Sequence, residues 1–153
     1  VTEWREVGFD DLAARALRSQ MSAEMNELYG RPRAAAQPDA GIDPDSVLVT
    51  IVGDEVGEPV ATASLRQLGA DVELKRMYVV PEARGRGLAS ELLAQLEARA
   101  TAFGATRLVL HAGERQRAAV DFYRSRGYAP IPLLAPYRGV PESLCFARAL
   151  AGR

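Results

Sequence analysis

The sequence predicts an α+β domain built on a mixed sheet, and three observations carry that expectation. Residues 46–80 hold three apolar runs separated by short Gly-containing links, the pattern of an antiparallel meander. A turn and a long amphipathic helix then lead to a further apolar run at 107–111, which makes one parallel strand–helix–strand step. A second helix and two short runs close the chain, so the sheet should be mostly antiparallel with one parallel pair.

Taken in order, a first strand is expected near residues 2–7. Asp10 is placed to cap a helix whose apolar residues, Leu17, Met21, Met25 and Leu28, recur at helical spacing. Gly30 stops that helix. Residues 31–45 are long for a connection and form either a lid over a substrate or a loop with no task. Strands follow at 47–52, 59–68 and 72–80, joined by Gly-Asp-Glu-Val-Gly and Gly-Ala-Asp turns. The next helix carries one stripe, Leu88, Leu92, Leu93, Leu96, Ala100 and Phe103, and ends at Gly104. A strand at 107–111, a helix at 116–126 closed by Gly127, and a strand pair at 128–134 and 143–150 complete the chain.

Composition limits what such a domain can be. A chain of 153 residues buries a single core, so one domain is expected over 1–153. With 19 basic against 20 acidic side chains there is no broad field for nucleic acid. No apolar run reaches the roughly 18 residues of a membrane span, and no signal-peptide pattern opens the chain. The one cysteine, Cys145, cannot build a disulfide framework, which suits a reducing, cytoplasmic setting.

The most informative segment is Met77-Tyr-Val-Val-Pro-Glu-Ala-Arg-Gly-Arg-Gly-Leu-Ala89. A strand meets Pro81, then an Arg- and Gly-rich turn, then a helix. Free backbone N–H groups therefore gather at a helix N-terminus, where hydrogen bonds and the dipole favour an anion. Gly85 and Gly87 let a phosphate approach the main chain, and Arg84 and Arg86 supply guanidinium groups. The segment is neither a Walker loop nor a dinucleotide fingerprint, because no G-x-x-x-x-G-K-[ST] or strand-following G-x-G-x-x-G occurs.

It does resemble the acyl-CoA loop of the GCN5-related N-acetyltransferases (GNAT), whose [QR]-x-x-G-x-[GA] signature is matched by Arg84-Gly-Arg-Gly87-Leu-Ala89. Phe122-Tyr-Arg-Ser-Arg-Gly-Tyr128 is similar to a second family pattern, F-Y-x-x-x-G-[FY]. The order of elements agrees over nearly the whole chain. The resemblance implies the acyl-CoA N-acyltransferase fold, a mostly antiparallel sheet with a central, splayed parallel pair flanked by helices. It implies acetyl-CoA as co-substrate, with no metal. Met77, Tyr78 and Val79 of the strand and Arg84, Gly85, Arg86, Gly87, Leu88 and Ala89 of the loop would bind it. The Met77 N–H would meet the thioester carbonyl, and the Val79 backbone the pantetheine amides.

By the same resemblance Tyr123 is the candidate acid for the departing thiolate, against its reading as an amphipathic core residue. Gln116, seven residues earlier and about 10.5 Å along the helix axis, would touch the pantetheine arm. Glu73, six residues before Val79, would be the base, acting through water. Strict alternation sets Glu73, Lys75, Met77 and Val79 on one side of their strand. Glu73 and Met77 then lie about 13 Å apart on an ideal strand, so a bulge or a water chain must close the gap. The alternative for Glu73 is a surface glutamate paired with Lys75 or Arg66.

Other residues keep two readings. His111 either acts as a base or is merely hydrogen-bonded at its strand end. Cys145 reads as a buried, inert thiol. Arg66, Lys75 and Arg76 either hold an acceptor's carboxylate or form a solvated sheet face. The loops at 31–45 and 132–141, the second with Tyr137 and Arg138, would shape the acceptor site. The expected function is transfer of the acetyl group of acetyl-CoA to a primary amine of a small molecule, by direct attack in a ternary complex. Protein N-terminal or lysine acetylation, or a non-catalytic acyl-CoA sensor, are the alternatives. The resemblance admits a homodimer through the C-terminal strands, which no residue here specifies.

Overall fold

Short links between β-prone runs leave the first half of the chain little choice but to fold back on itself. The computed structural model describes residues 1–34 and 39–151. The elements are β1 (Glu3–Val7), α1 (Leu12–Leu28), β2 (Val47–Glu55), β3 (Glu58–Leu68), β4 (Asp71–Val79), α2 (Leu88–Ala102), β5 (Arg107–Gly113), α3 (Arg117–Ser125), β6 (Ala129–Ile131) and β7 (Ser143–Ala149). The strands form one sheet in the order β1-β2-β3-β4-β5-β7-β6, in which only β4 and β5 are parallel. This is the α+β mixed sheet expected.

Several boundaries differ from expectation for identifiable reasons. The Asp11 carboxylate, not that of Asp10, caps α1 by accepting the Ala14 N–H at 3.1 Å. Gly53 and Asp54 belong to β2 rather than to a five-residue turn. The turn is Val56-Gly57 alone, both at positive φ (50° and 77°), as a tight two-residue hairpin requires. Gly53 is glycine because the Trp4 ring lies on it: a Cβ there would sit 2.5 Å from Cζ3. The strand expected at 128–134 shrinks to three residues among Pro130 and Pro132, which have no N–H to give a ladder. Phe103, expected in the α2 stripe, is the C-cap and 49% exposed.

The two faces of the sheet are covered by different helices. Trp4 pairs opposite Gly53, and its Nε1–H donates to Glu91 of α2 at 3.4 Å, so that face belongs to α2. Leu88, Leu92, Leu93, Leu96 and Ala100 are buried there. The Tyr78 hydroxyl donates to Glu24 of α1 at 3.0 Å, which marks the other face.

A β-bulge redirects β4. Ser64 pairs with Lys75 and Thr62 with Tyr78, so Arg76 and Met77 together span the place of Ala63 alone. Arg76 has φ 55° there. Ser64 and Thr62 are two apart on one face, which places Lys75 and Tyr78 on a common face although they are three apart. The strict alternation expected along 73–80 therefore breaks at this point, and the bulge that the Glu73–Met77 spacing called for is present.

Because the Trp4 ring occupies the space above Gly53, Gly53→Ala should destabilise the fold by about 1–3 kcal/mol. Urea unfolding followed by circular dichroism measures this. The same change in a Trp4→Val background should cost clearly less, since the ring no longer opposes the methyl group.

Candidate active site

Parallel pairing between β4 and β5 covers only Val72–Leu74 against Leu108–Leu110, yet β4 runs on to Val79 and β5 to Gly113. Beyond Leu74 the bulge carries β4 away, and the two strands part. A cleft of about 940 Å³ opens there, lined by α1, β4, β5, the loop before α2 and α3. That volume suits a cofactor-sized ligand.

One end of the cleft is the Gly-rich turn. Gly85 and Gly87 have φ 81° and 83°, and Gly87 is the N-cap of α2. Glycine is required by this left-handed backbone, since a Cβ would meet nothing within 4 Å at either position. Among the described residues the N–H groups of Gly85 to Ser90 have no acceptor, leaving a nest of donors at the helix N-terminus. Leu88 is buried beneath the turn, while Ala89 and Ser90 line the cleft.

The expected arginines are differently employed. Arg84 donates from Nε to the Val79 carbonyl at 2.9 Å and from Nη2 to both Glu24 oxygens at 3.0 and 2.9 Å. Arg86 donates to Glu55 at 2.6 Å. Both therefore brace the turn from outside it. Arg126, at the end of α3, is the guanidinium that crosses to the donor nest, donating to the Ser90 hydroxyl. Sequence reasoning missed it, although its place four residues past Phe122 on an amphipathic helix was the available signal.

Along the α3 wall, the Tyr123 side chain is buried against the edges of Phe122 and Tyr128 and still lines the cleft. Its hydroxyl has no hydrogen-bond partner among the described residues. Burial raises its pKa, so it keeps its proton at neutral pH. Gln116 is the residue before α3, and its side-chain amide lies 2.9 Å from the Met25 sulfur across the cleft mouth. Met77, Tyr78 and Val79 form the β4 wall. Burial first, and then Glu24, push the Tyr78 phenol up to about 12.

Glu73 lies beneath this wall rather than in it. It is 0% exposed, and both oxygens are engaged: Arg66 Nε donates to Oε1 at 2.7 Å, and the Tyr137 hydroxyl donates to Oε2. Lys75 Nζ stands 4.0 Å from Oε2 and donates to the Tyr137 oxygen at 2.8 Å. The surface-pair alternative is corrected in its burial though not in its partner. The solvated-face reading of Arg66 and Lys75 also fails, since both are buried.

Tyr137 was legible only as a loop residue, yet it ties the site together. Its ring stacks on His111 with centroids 3.9 Å apart and planes 4° from parallel. His111 Nε2 is 2.9 Å from the Ser143 hydroxyl. Burial, then the charges of Lys75 and Arg76, lower the His111 pKa to about 4, so the imidazole is neutral at physiological pH and a weak base. Arg138 instead faces outward, donating to the Leu133 carbonyl. Cys145 is buried, and burial pushes its thiol up, away from nucleophilic chemistry. Residues 35–38 of the expected lid lie outside the described residues. Among the described residues no group of His, Cys, Asp and Glu could hold a metal, and no helix is long and apolar enough to cross a membrane.

Comparison with known proteins bears on this geometry. An IAA acetyltransferase of Azospirillum brasilense is 37% identical over 78 residues, which are 51% of this chain and 51% of that protein. The chain thus matches that curated relative over about half of its length. A Klebsiella pneumoniae protein provisionally named an acyl-CoA N-acyltransferase superposes with a TM-score of 0.83 at 25% identity, over 99% of each chain. The PaiA N-acetyltransferase of Thermoplasma acidophilum, in complex with coenzyme A, shares the fold with a TM-score of 0.71 at 12% identity, over 97% of this chain and 99% of its own. A model of the acetyltransferase (GNAT) family matches residues 14–128, a stretch that holds the bulged strand, the donor nest and α3. The chain belongs to that family.

Proposed function

We propose that this protein transfers the acetyl group of acetyl-CoA to a primary amine of a small molecule, by direct attack within a ternary complex. One observation carries the reading: a single cleft connects the N–H groups of Gly85–Ser90 to the hydroxyl of Tyr123, both without an acceptor or donor partner among the described residues. On this reading the nest would face the diphosphate and Tyr123 the sulfur of a bound acyl-CoA. The coenzyme A held by the Thermoplasma protein of the same fold supports it.

In this reading the donor nest and Arg126 hold the diphosphate. The β4 edge from Met77 to Val79 and the Gln116 amide receive the pantetheine arm. The bulge leaves Met77 outside the β3–β4 register, and its N–H serves as donor to the developing oxyanion. As the amine nitrogen bonds to the carbonyl carbon and the carbon–sulfur bond breaks, Tyr123 delivers its proton to the sulfur. Burial keeps the phenol protonated at neutral pH, so a proton is in place when the sulfur takes on charge, and the phenolate left behind is reprotonated through the open cleft. A proton leaving the amine reaches Glu73 only by way of Tyr137 or Lys75, because those groups and Arg66 occupy the carboxylate. Glu73 is thereby a positioning residue for the proton's route rather than a group in contact with the amine.

The overall test is a screen of small amines, amino-terminal peptides and lysine peptides with acetyl-CoA, read as thiol release. Release with small amines is expected. Release with peptides alone would replace the acceptor class, and tight acetyl-CoA binding without release to any amine would leave a sensor.

Tyr123→Phe should lower kcat by roughly 10²-fold, with acetyl-CoA affinity little changed. Wild-type turnover under conditions where chemistry limits the rate would return Tyr123 to the core. Gly87→Val forces a β-branched residue into the left-handed region and should weaken CoA binding at least about tenfold by calorimetry while the fold persists. Unchanged affinity would move the diphosphate elsewhere. Glu73→Gln should depress kcat at neutral pH, with partial recovery at higher pH as the amine loses its own proton in solution. His111→Gln should do little, because an imidazole whose pKa is lowered to about 4 is too weak a base to hold the amine's proton at neutral pH. The opposite pattern would move the proton acceptor to His111.

A further inference from the structure

We propose that the acceptor amine also carries a carboxylate, which Lys75 and Arg76 seat at the end of the cleft away from the donor nest. The inference rests on the acetyltransfer reading above and narrows its substrate class.

The argument is one of charge. Among the described residues the cleft walls carry eight basic side chains and a single carboxylate, Glu24, which is already engaged by Arg84 and Tyr78. Arg84, Arg117 and Arg126 border the donor nest and α3, where diphosphate charge would meet them. Arg18, Arg31, Lys75, Arg76 and Arg115 remain. Glu142 neutralises Arg115, and among the described residues the Arg31 guanidinium meets the Asn26 side-chain oxygen and the Tyr29 ring face.

The inner group is less balanced. Glu73 is shared by Arg66 and Lys75. Asp39 is held by Arg18 at 2.6 Å and also attracts Arg76, whose Nη2 donates to the neutral Ala40 carbonyl at 3.2 Å. Among the described residues two carboxylates thus serve four cations, three of them buried. The intervening residues 35–38, Ala-Ala-Gln-Pro, bring no charge of their own.

The strain of this arrangement is visible in the neighbouring groups. Burial lowers Lys75 to about 8; Glu73 opposes the shift, and Arg76 and Arg66 add to it. Burial first, and then Lys75 and Arg76, lower His111. A simple cationic amine entering here would add a further like charge. An amine with its own carboxylate enters with no net charge and supplies the missing anion, and Lys75 and Arg76 offer it charge-assisted hydrogen bonds.

The test compares kcat/KM for amino acids, their amides, the corresponding decarboxylated amines and aminoalkyl phosphates. Amino acids should exceed amides and amines by roughly 10- to 100-fold, the range of charge-assisted hydrogen bonds. Lys75→Met should erase most of that preference through KM, and Lys75→Arg should retain part of it. Amides or polyamines used as well as amino acids would overturn the inference and leave acetyltransfer standing. A preference for aminoalkyl phosphates would overturn the carboxylate. Failure of every amine, with acetyl-CoA bound, would remove both readings.

A second measurement does not depend on the variants folding. His111 is the only histidine, so its ring signals titrate alone in a proton NMR spectrum. Its neighbours are Lys75 and Arg76 on β4, Tyr137 stacked on the ring and itself bonded to Glu73, the Ser143 hydroxyl at 2.9 Å, and Cys145 opposite on β7. With CoA present, the acetylated product of the best amino acid should give His111 a higher pKa than the amide of that product gives, since burial is matched and only the charge differs. Equal values would overturn the proposal.

Discussion

A parallel ladder normally continues until one strand ends, because each further residue satisfies backbone donors and acceptors that are costly to bury unpaired. Here the β4–β5 ladder stops after Leu74 and Leu110 while both strands go on. The bulge at Arg76 and Met77 enforces the parting. Its cost, a non-glycine residue at φ 55°, is about 1–3 kcal/mol for a strained backbone position. Pairing of β4 with β3 on both sides of the bulge holds it in place. The form of the cleft follows: its width, the β4 edge turned into it, and the change of face that puts Lys75 and Tyr78 together.

Beneath that edge lies a polar network whose members come from distant parts of the chain. Arg66, Glu73, Lys75 and Tyr137 are mutually hydrogen-bonded or ion-paired with almost no solvent contact. Removing any one member leaves a buried polar group unsatisfied, which costs more than the bond itself contributed. Such a network is rigid when complete. It fixes the height of the β4 wall and couples the 132–141 loop to the sheet through one phenol. Arg66 also donates to the Gly41 carbonyl at 3.3 Å, so the segment after the undescribed residues is tied to the same frame.

The parts legible in the sequence were those that depend on neighbours in the chain. The turn at Gly85–Gly87 could be read because positive φ and a helix N-terminus are local properties. The meander and the two amphipathic helices could be read from periodicity. What could not be read was settled by long-range pairing. Arg84 and Arg86 looked free for a ligand because their carboxylate partners, Glu24 and Glu55, come from α1 and β2. Glu73 looked exposed because alternation assigns a face but says nothing of what covers it, and Tyr137 does the covering from 64 residues away. Gly53 read as a turn because the ring that requires it lies in the first strand.

Trp4 is the only tryptophan in the chain. Its indole is held against Gly53 on one side and against the Glu91 carboxylate on the other. Glu91 is in the first turn of α2, where its own N–H donates to the Gly87 carbonyl at 3.1 Å. The sole indole fluorophore of the molecule is therefore wired to the rim of the donor nest through two hydrogen bonds. A shift of that helix end by even a fraction of an ångström changes the polarity around the indole N–H, and with it the colour of the emitted light. The edge strand thus gives the protein a built-in optical gauge of its Gly-rich turn, with no label attached.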